Sequence, residues 1–161
     1  MKKITPCIWF DNQGEEAMNY YFSVFKNSKL ISASRYGDNG PGPKGQLLVA
    51  SFELEDMQLS LINGGPHYSL SPAFSLSIDC DGQEEVDYYW DKLGAGGKYM
   101  QCGWLTDRFG VSWQVVPNIL PRLLSGNDSA KSGRVMKAMM QMIKLDVQGL
   151  QDAADATSSP G

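Results

Sequence analysis

The chain carries one passage twice. Asp11-Asn12-Gln13-Gly14-Glu15-Glu16-Ala17-Met18-Asn19-Tyr20-Tyr21-Phe22 lies over Asp79-Cys80-Asp81-Gly82-Gln83-Glu84-Glu85-Val86-Asp87-Tyr88-Tyr89-Trp90 without a gap, at an offset of 68 residues. An Asp, a Gly, a Glu and both Tyr residues coincide. Upstream, Ile8 falls on Leu76 and Phe10 on Ile78; downstream, Phe25 falls on Leu93. Internal self-similarity of this kind requires one supersecondary unit used twice, each copy folding by the same rules.

The elements around the repeat agree in order. Ile4 to Phe10 reads as a strand, and Gly14 to Lys26 as a helix with Ala17, Tyr21, Val24 and Phe25 at helical spacing. Lys29 to Tyr36 reads as a strand. The stretch Gly37 to Gly45 is a loop, because its glycines and prolines break both kinds of regular structure. Gln46 to Glu55 and Met57 to Asn63 form a hairpin turning at Glu55-Asp56. After the second helix, Lys98 to Gln101, Gly103 to Asp107 and Val111 to Pro117 are again three short strands. The expected organisation is a first βαβββ module over residues 1–64, a second over 70–118, and a helical tail over 119–156. In the tail a short helix starts at Pro121, and Lys131 to Lys144 is helical. Asp146 caps a last helix running through Leu150 to Ala154, and Thr157 to Gly161 is frayed.

Several function classes are excluded as expectations. A formal net charge of -4 without a basic cluster argues against nucleic acid, whose phosphates need grouped Lys and Arg. No apolar run approaches a membrane span. Cys7, Cys80 and Cys102 are an odd, scattered set, which fits a reducing compartment, and the expected location is the cytoplasm. The loop Gly37 to Gly45 contains two prolines and is followed by a strand, so it does not cradle phosphate.

The runs Cys102-Gly103-Trp104-Leu105 and Asp107-Arg108-Phe109-Gly110-Val111-Ser112-Trp113-Gln114 resemble signatures of the PhnB-like branch of the vicinal-oxygen-chelate superfamily. So do Ile4-Thr5-Pro6, Trp9-Phe10-Asp11, and Glu84-Glu85-Val86-Asp87 with Trp90. The resemblance runs from about Lys3 to Leu150. It implies an α+β glyoxalase/bleomycin-resistance fold, two modules whose curved sheets form a cup, and a homodimer. Many members carry the label 3-demethylubiquinone-9 3-methyltransferase. No glycine-rich turn of a doubly wound sheet is present here to hold S-adenosylmethionine.

Metal-using members of that superfamily place His and Glu on the first and last strand of each module. Carried over by the resemblance, by the repeat and, for Ser60, by aligning the turn Glu55-Asp56 with Phe109-Gly110, those positions are Thr5, Ser60, Ala73 and Gln114. None is a His or a carboxylate, so no metal and no cofactor is expected. His67, in the linker Gly64-Gly65-Pro66-His67-Tyr68, is expected to be an exposed loop residue, with a general base at the mouth of the cup as the alternative. Burial is expected of all three cysteines, a turn-building role of Asp107, and a place under a helix for Trp113. Thr5, Cys7, Trp9, Ser60, Trp104 and Gln114 remain as candidate contacts to an unknown small molecule. Two functions stay open, a metal-free binding protein and a metal-independent enzyme acting on a small aromatic or quinone-like substrate. A structural dimer module is a third. In the dimer, the apolar tail residues Val135, Met136, Met139, Met140, Met142, Ile143 and Leu145 are expected to meet a partner.

Overall fold

The computed structural model describes residues 2–156, and the expected fraying of Thr157 to Gly161 lies outside them. The chain divides into two compact units, residues 1–70 and 71–161.

In the first unit the elements are β1 (Cys7–Phe10), α1 (Gly14–Val24), β2 (Ser28–Arg35), β3 (Leu47–Leu54) and β4 (Met57–Asn63). The sheet order is β1-β4-β3-β2, with β1 parallel to β4 and the other pairs antiparallel. Alternation in β3 and β4 sends Phe52, Leu59 and Leu61 to one face, where each is essentially inaccessible to solvent. The helix α1 covers that face with Ala17, Met18, Tyr21 and Val24. Burying each such large side chain stabilises the unit by about 1.5–3 kcal/mol. Asn63 ties helix to sheet: its Oδ1 accepts from Gly14 N at 2.8 Å, and its Nδ2 donates to the Leu47 carbonyl at 3.0 Å. A Cβ at Gly14 would stand 2.7 Å from that Oδ1, so this glycine serves close helix packing.

The second unit repeats the plan with β5 (Ser75–Cys80), α2 (Gly82–Gly94), β6 (Lys98–Tyr99), β7 (Trp104–Thr106) and β8 (Ser112–Pro117), in sheet order β5-β8-β7-β6. The two helices begin at Gly14 and Gly82, which the repeat places on each other. Three tail helices follow: α3 (Ile119–Leu124), α4 (Ser129–Met140) and α5 (Val147–Asp155).

Element ends depart from expectation for physical reasons. The strand β1 starts at Cys7 rather than Ile4, since Pro6 has no N–H to pair, and Ile4 is 88% exposed. The helix α1 stops at Val24 because Phe25 turns extended at φ -95° and ψ 123°. β6 has only two residues, because Cys102 and Gly103 adopt φ values of 61° and 82° in a tight turn closed by Trp104 N donating to the Gln101 carbonyl at 3.2 Å. The third helix begins at Ile119, with Pro121 still in its first turn, where no N–H is required. The fourth begins at Ser129, capped by Asp128 Oδ1 accepting from Lys131 N at 3.0 Å, and ends at Met140. At the start of α5 the Asp146 side chain makes no capping bond; Gln83 Oε1 accepts from Val147 N at 2.7 Å instead.

The tail residues divide. Val135 and Leu145 are fully buried in a cluster with Leu120, Leu123, Leu150 and Ala154, and Met139 and Met142 pack against it. Only Met136, Met140 and Ile143 of the expected stripe remain strongly exposed. Most of that stripe is therefore covered by the chain itself.

Candidate functional site

Strand register assigns the residues on each sheet face turned away from its helix. Directly paired residues share a face. In the first unit one cross-strand row is Cys7–Ser60–Ser51–Ser32, and the next is Trp9–Ile62–Val49–Ser34. In the second unit the rows are Ser75–Ser112–Thr106, ending at Lys98 on the edge strand β6, and Ser77–Gln114–Trp104. Each unit thus has a row of small hydroxyls or thiols beside a row holding one tryptophan.

The repeat carries Cys7 to Ser75 and therefore Ser60 to Ser112, while Gln114 corresponds to Ile62. This differs by two residues from the pairing of Ser60 with Gln114 that turn alignment suggests. The loops differ in length: Leu54 pairs Met57 across two residues, whereas Thr106 pairs Ser112 across the longer stretch 107–111.

In the second unit, Gln114 Nε2 donates to Ser75 Oγ at 2.9 Å, and Thr106 Oγ1 and Ser112 Oγ lie 3.2 Å apart. The amide of Gln114 is thereby fixed, half-buried, next to the half-buried Trp104. Asp79 is exposed on the same face. In the first unit Ser60 Oγ donates to the Pro6 carbonyl at 3.3 Å. Trp9 Nε1 donates to the Gly65 carbonyl at 2.9 Å, and its ring meets Tyr68 edge-on at 4.9 Å. The linker thus holds Trp9 in place. Thr5 and Ala73 precede their strands rather than lying on them. Within the linker, His67 is exposed in a turn.

Cys7 is exposed, Cys102 is intermediate and Cys80 is buried, so the expected burial holds for Cys80 alone. Burial pushes the Cys80 thiol up to about 12, with the Glu85 carboxylate adding to the effect. Trp113 is 3% exposed, beneath the sheet, and donates from Nε1 to Asp107 Oδ2 at 2.9 Å. Asp107 Oδ1 also accepts from Phe109 N at 2.9 Å and Val111 N at 3.1 Å. The resembling run from Asp107 to Gln114 therefore builds a loop and buries a tryptophan. Sequence reasoning missed Ser51, Ser75, Thr106 and Ser112; the alternation of each strand identifies them once the register is known.

The metal positions of the superfamily do not fit a metal here. They supply the hydroxyls of Thr5 and Ser60, the methyl of Ala73 and the neutral amide of Gln114. Register adds only Ser112 and Ile62. A divalent cation needs several charged or imidazole donors converging. Among the described residues no group of three or more His, Cys, Asp or Glu is placed to hold one.

Two tandem βαβββ units, each a four-stranded mixed sheet with one covering helix, define a protein of glyoxalase/bleomycin-resistance fold. Residues 2–116 match the family described as 3-demethylubiquinone-9 3-methyltransferase, and the chain belongs to that family. A PhnB protein from Bacillus cereus, described by the same methyltransferase name, is 36% identical, with 72% of this chain and 99% of that one covered and a TM-score of 0.68. Protein PA1353 from Pseudomonas aeruginosa is 23% identical over 73% of this chain and 98% of that one, with a TM-score of 0.60. The fosfomycin resistance protein FosX from Listeria monocytogenes, solved with Mn(II) and sulfate, is 14% identical over 70% of this chain and 90% of that one, with a TM-score of 0.51. The last two show the fold alone. No curated protein matched. No helix among the described residues is long and apolar enough to cross a membrane.

Proposed function

We propose that the chain binds a small, uncharged, partly aromatic molecule on the sheet face of the second unit turned away from α2, without a metal ion. The contacts there would come from Trp104 and Gln114; Cys7, Trp9 and Ser60, with Thr5 at the margin, offer a like face on the first unit. One observation carries the reading: a half-buried glutamine amide, fixed by Ser75 at 2.9 Å, stands beside Trp104 in a row bordered by hydroxyls. An aromatic wall with one or two oriented polar groups suits a neutral planar ligand. The cation of these rows, Lys98, stands exposed on the edge strand β6, two strands from Gln114.

Thermal-shift screening of a metabolite set, with and without chelator, tests this, because a ligand specific to the folded state raises the midpoint. The expected hits are neutral ring compounds whose effect is indifferent to chelator. Stoichiometric tight manganese or nickel in the purified protein would overturn it.

A second reading is a metal-independent enzyme acting on an aromatic or quinone-like substrate. It is favoured by Asp79, a carboxylate exposed on the face that carries Gln114, and by the ubiquinone precursor in the family's description. A ligand recovered unchanged after long incubation decides for binding alone. The proposal includes a cytoplasmic location, supported by three free cysteines, and a homodimer, supported by exposed apolar residues on β2 and α4.

A further inference from the structure

The family match ends at residue 116, so the tail helices lie beyond it. The segment Met142–Val147, between α4 and α5, is anchored to the second unit at several points. Cys102 N donates to the Met142 carbonyl and Gly103 N to the Ile143 carbonyl, each at 2.8 Å. In a turn with positive φ at both central residues these N–H groups point away from the hairpin. Here consecutive tail carbonyls receive them. Leu145, fully buried, sits against Gly103, where an added Cβ would stand 2.9 Å from its Cδ1. Gln83 Nε2 donates to the Leu145 carbonyl at 3.2 Å and to Asp87 Oδ1 at 3.0 Å, while its Oε1 accepts from Val147 N. Lys144 Nζ lies 3.0 Å from Asp87 Oδ1.

The turn so held leads straight into Trp104, and the Gly103 carbonyl accepts from Val115 N at 2.7 Å, next to Gln114. Val116, two residues beyond Gln114 on the same face, packs against the tail cluster. Cys102 at a φ of 61° is in a conformation that non-glycine residues rarely hold unless their surroundings over-determine it.

The geometry points to a positioning role for this strap: it fixes the Gln101–Trp104 turn, and through it the placement of Trp104 beside Gln114. The strap is thus a device for shaping the ligand face from outside the matched family region. Its consequence for ligand rests on the binding reading above; its structural effect does not.

The test compares full-length wild type with Gln83→Ala and with Lys144→Ala, a milder change at an exposed position. Two measurements are made without ligand: amide exchange by mass spectrometry, and the indole N–H resonance of Trp104, assigned with Trp104→Phe. The expected result for Gln83→Ala is roughly tenfold faster exchange at Cys102 and Gly103, from loss of strap hydrogen bonds. The Trp104 indole should shift while that of Trp9 stays in place, and Lys144→Ala should move both readouts in the same direction by less. Unchanged exchange at the turn overturns the proposal. So does faster exchange spread evenly over the second unit with an unmoved Trp104 resonance, which marks a tail that only stabilises. If the strap behaves as expected and the wild type binds nothing in the metabolite screen, the binding reading falls alone.

Discussion

Asp107 shows how a single buried carboxylate organises a loop. It is 3% exposed and satisfies two backbone N–H groups and the Trp113 indole. Truncation to alanine removes the carboxylate from three buried donors, so Asp107→Ala should destabilise the protein by about 3 kcal/mol. Asp107→Asn keeps a carbonyl oxygen for the backbone but turns an N–H toward the indole N–H, and should cost roughly half as much. Urea unfolding followed by tryptophan emission measures both, and a loss for the alanine variant no larger than that of a surface substitution refutes the assignment. The cysteines give a second test. Only the thiolate attacks an alkylating reagent. Burial holds Cys80 near 12, whereas Cys7 is open to solvent. At pH 8, iodoacetamide should label Cys7 first and leave Cys80 unmodified until denaturant is added; labelled Cys80 in the folded protein, located by peptide mapping, contradicts its burial.

At the scale of elements, α1 and β2 are joined by the ion pair of Glu15 and Arg35. The hydrogen bond to the Arg35 guanidinium holds the Glu15 carboxyl below its ordinary 4.5. A depressed folded pKa contributes stability above the unfolded value and loses it as pH falls through the folded value. The pair is largely exposed, so the effect is small. The stability gap between wild type and Arg35→Met should therefore be widest at pH 7 and narrow as the pH falls below 4.5, as read from urea midpoints at each pH; what is left at low pH is the hydrogen bond from Arg35 to the Gly45 carbonyl. A gap independent of pH would show that Arg35 acts through Gly45 or by packing rather than through Glu15. Both helix starts and every strand were legible in the sequence, because the offset of 68 residues carries Gly14 onto Gly82 and alternation is local. Other features were set at long range. Helix α4 stops at Met140, and just beyond it a turn far upstream takes the carbonyls of Met142 and Ile143. Cys102 sits in a left-handed conformation that composition does not announce. The partner of Ser60 depended on loop lengths that turn residues alone do not reveal, so Ser51, Ser75, Thr106 and Ser112 escaped notice.

At the scale of the whole chain the open matter is association. The strand β2 is one of the two edge strands of the first sheet, and all but its first residue are exposed, on both faces. Leu30 is 50% and Ile31 45% exposed, and Val49 on the adjacent strand is 36% exposed. An edge of eight residues with apolar side chains and unpaired backbone groups is a template for another strand, unless charge or a bulge blunts it. Register shifts between Leu30 and Ser32 and between Ser34 and Arg35 bend the edge, and its charges, Lys29 and Arg35, lie toward its two ends, paired with Glu53 and Glu15. A second patch is left on the tail, where Met136 and Met140 are one helical turn apart and Ile143 follows. The cluster around Val135 and Leu145 has already removed the rest of the tail's apolar surface from water, so the tail does not need a partner to fold. A closed two-fold dimer is the commonest way to cover such patches. The expected mass by light scattering at micromolar concentration is twice the 17.7 kDa of one chain. Ile31→Lys places a charge in the edge and should shift the mass toward one chain, and Met140→Lys should do so more weakly, both with unfolding midpoints within about 0.5 kcal/mol of the parent, as exposed positions allow. A wild-type mass near 17.7 kDa refutes the dimer. In that case truncation after Gly126 should lower stability, by exposing Leu120 and Leu123, and leave the assembly state unchanged.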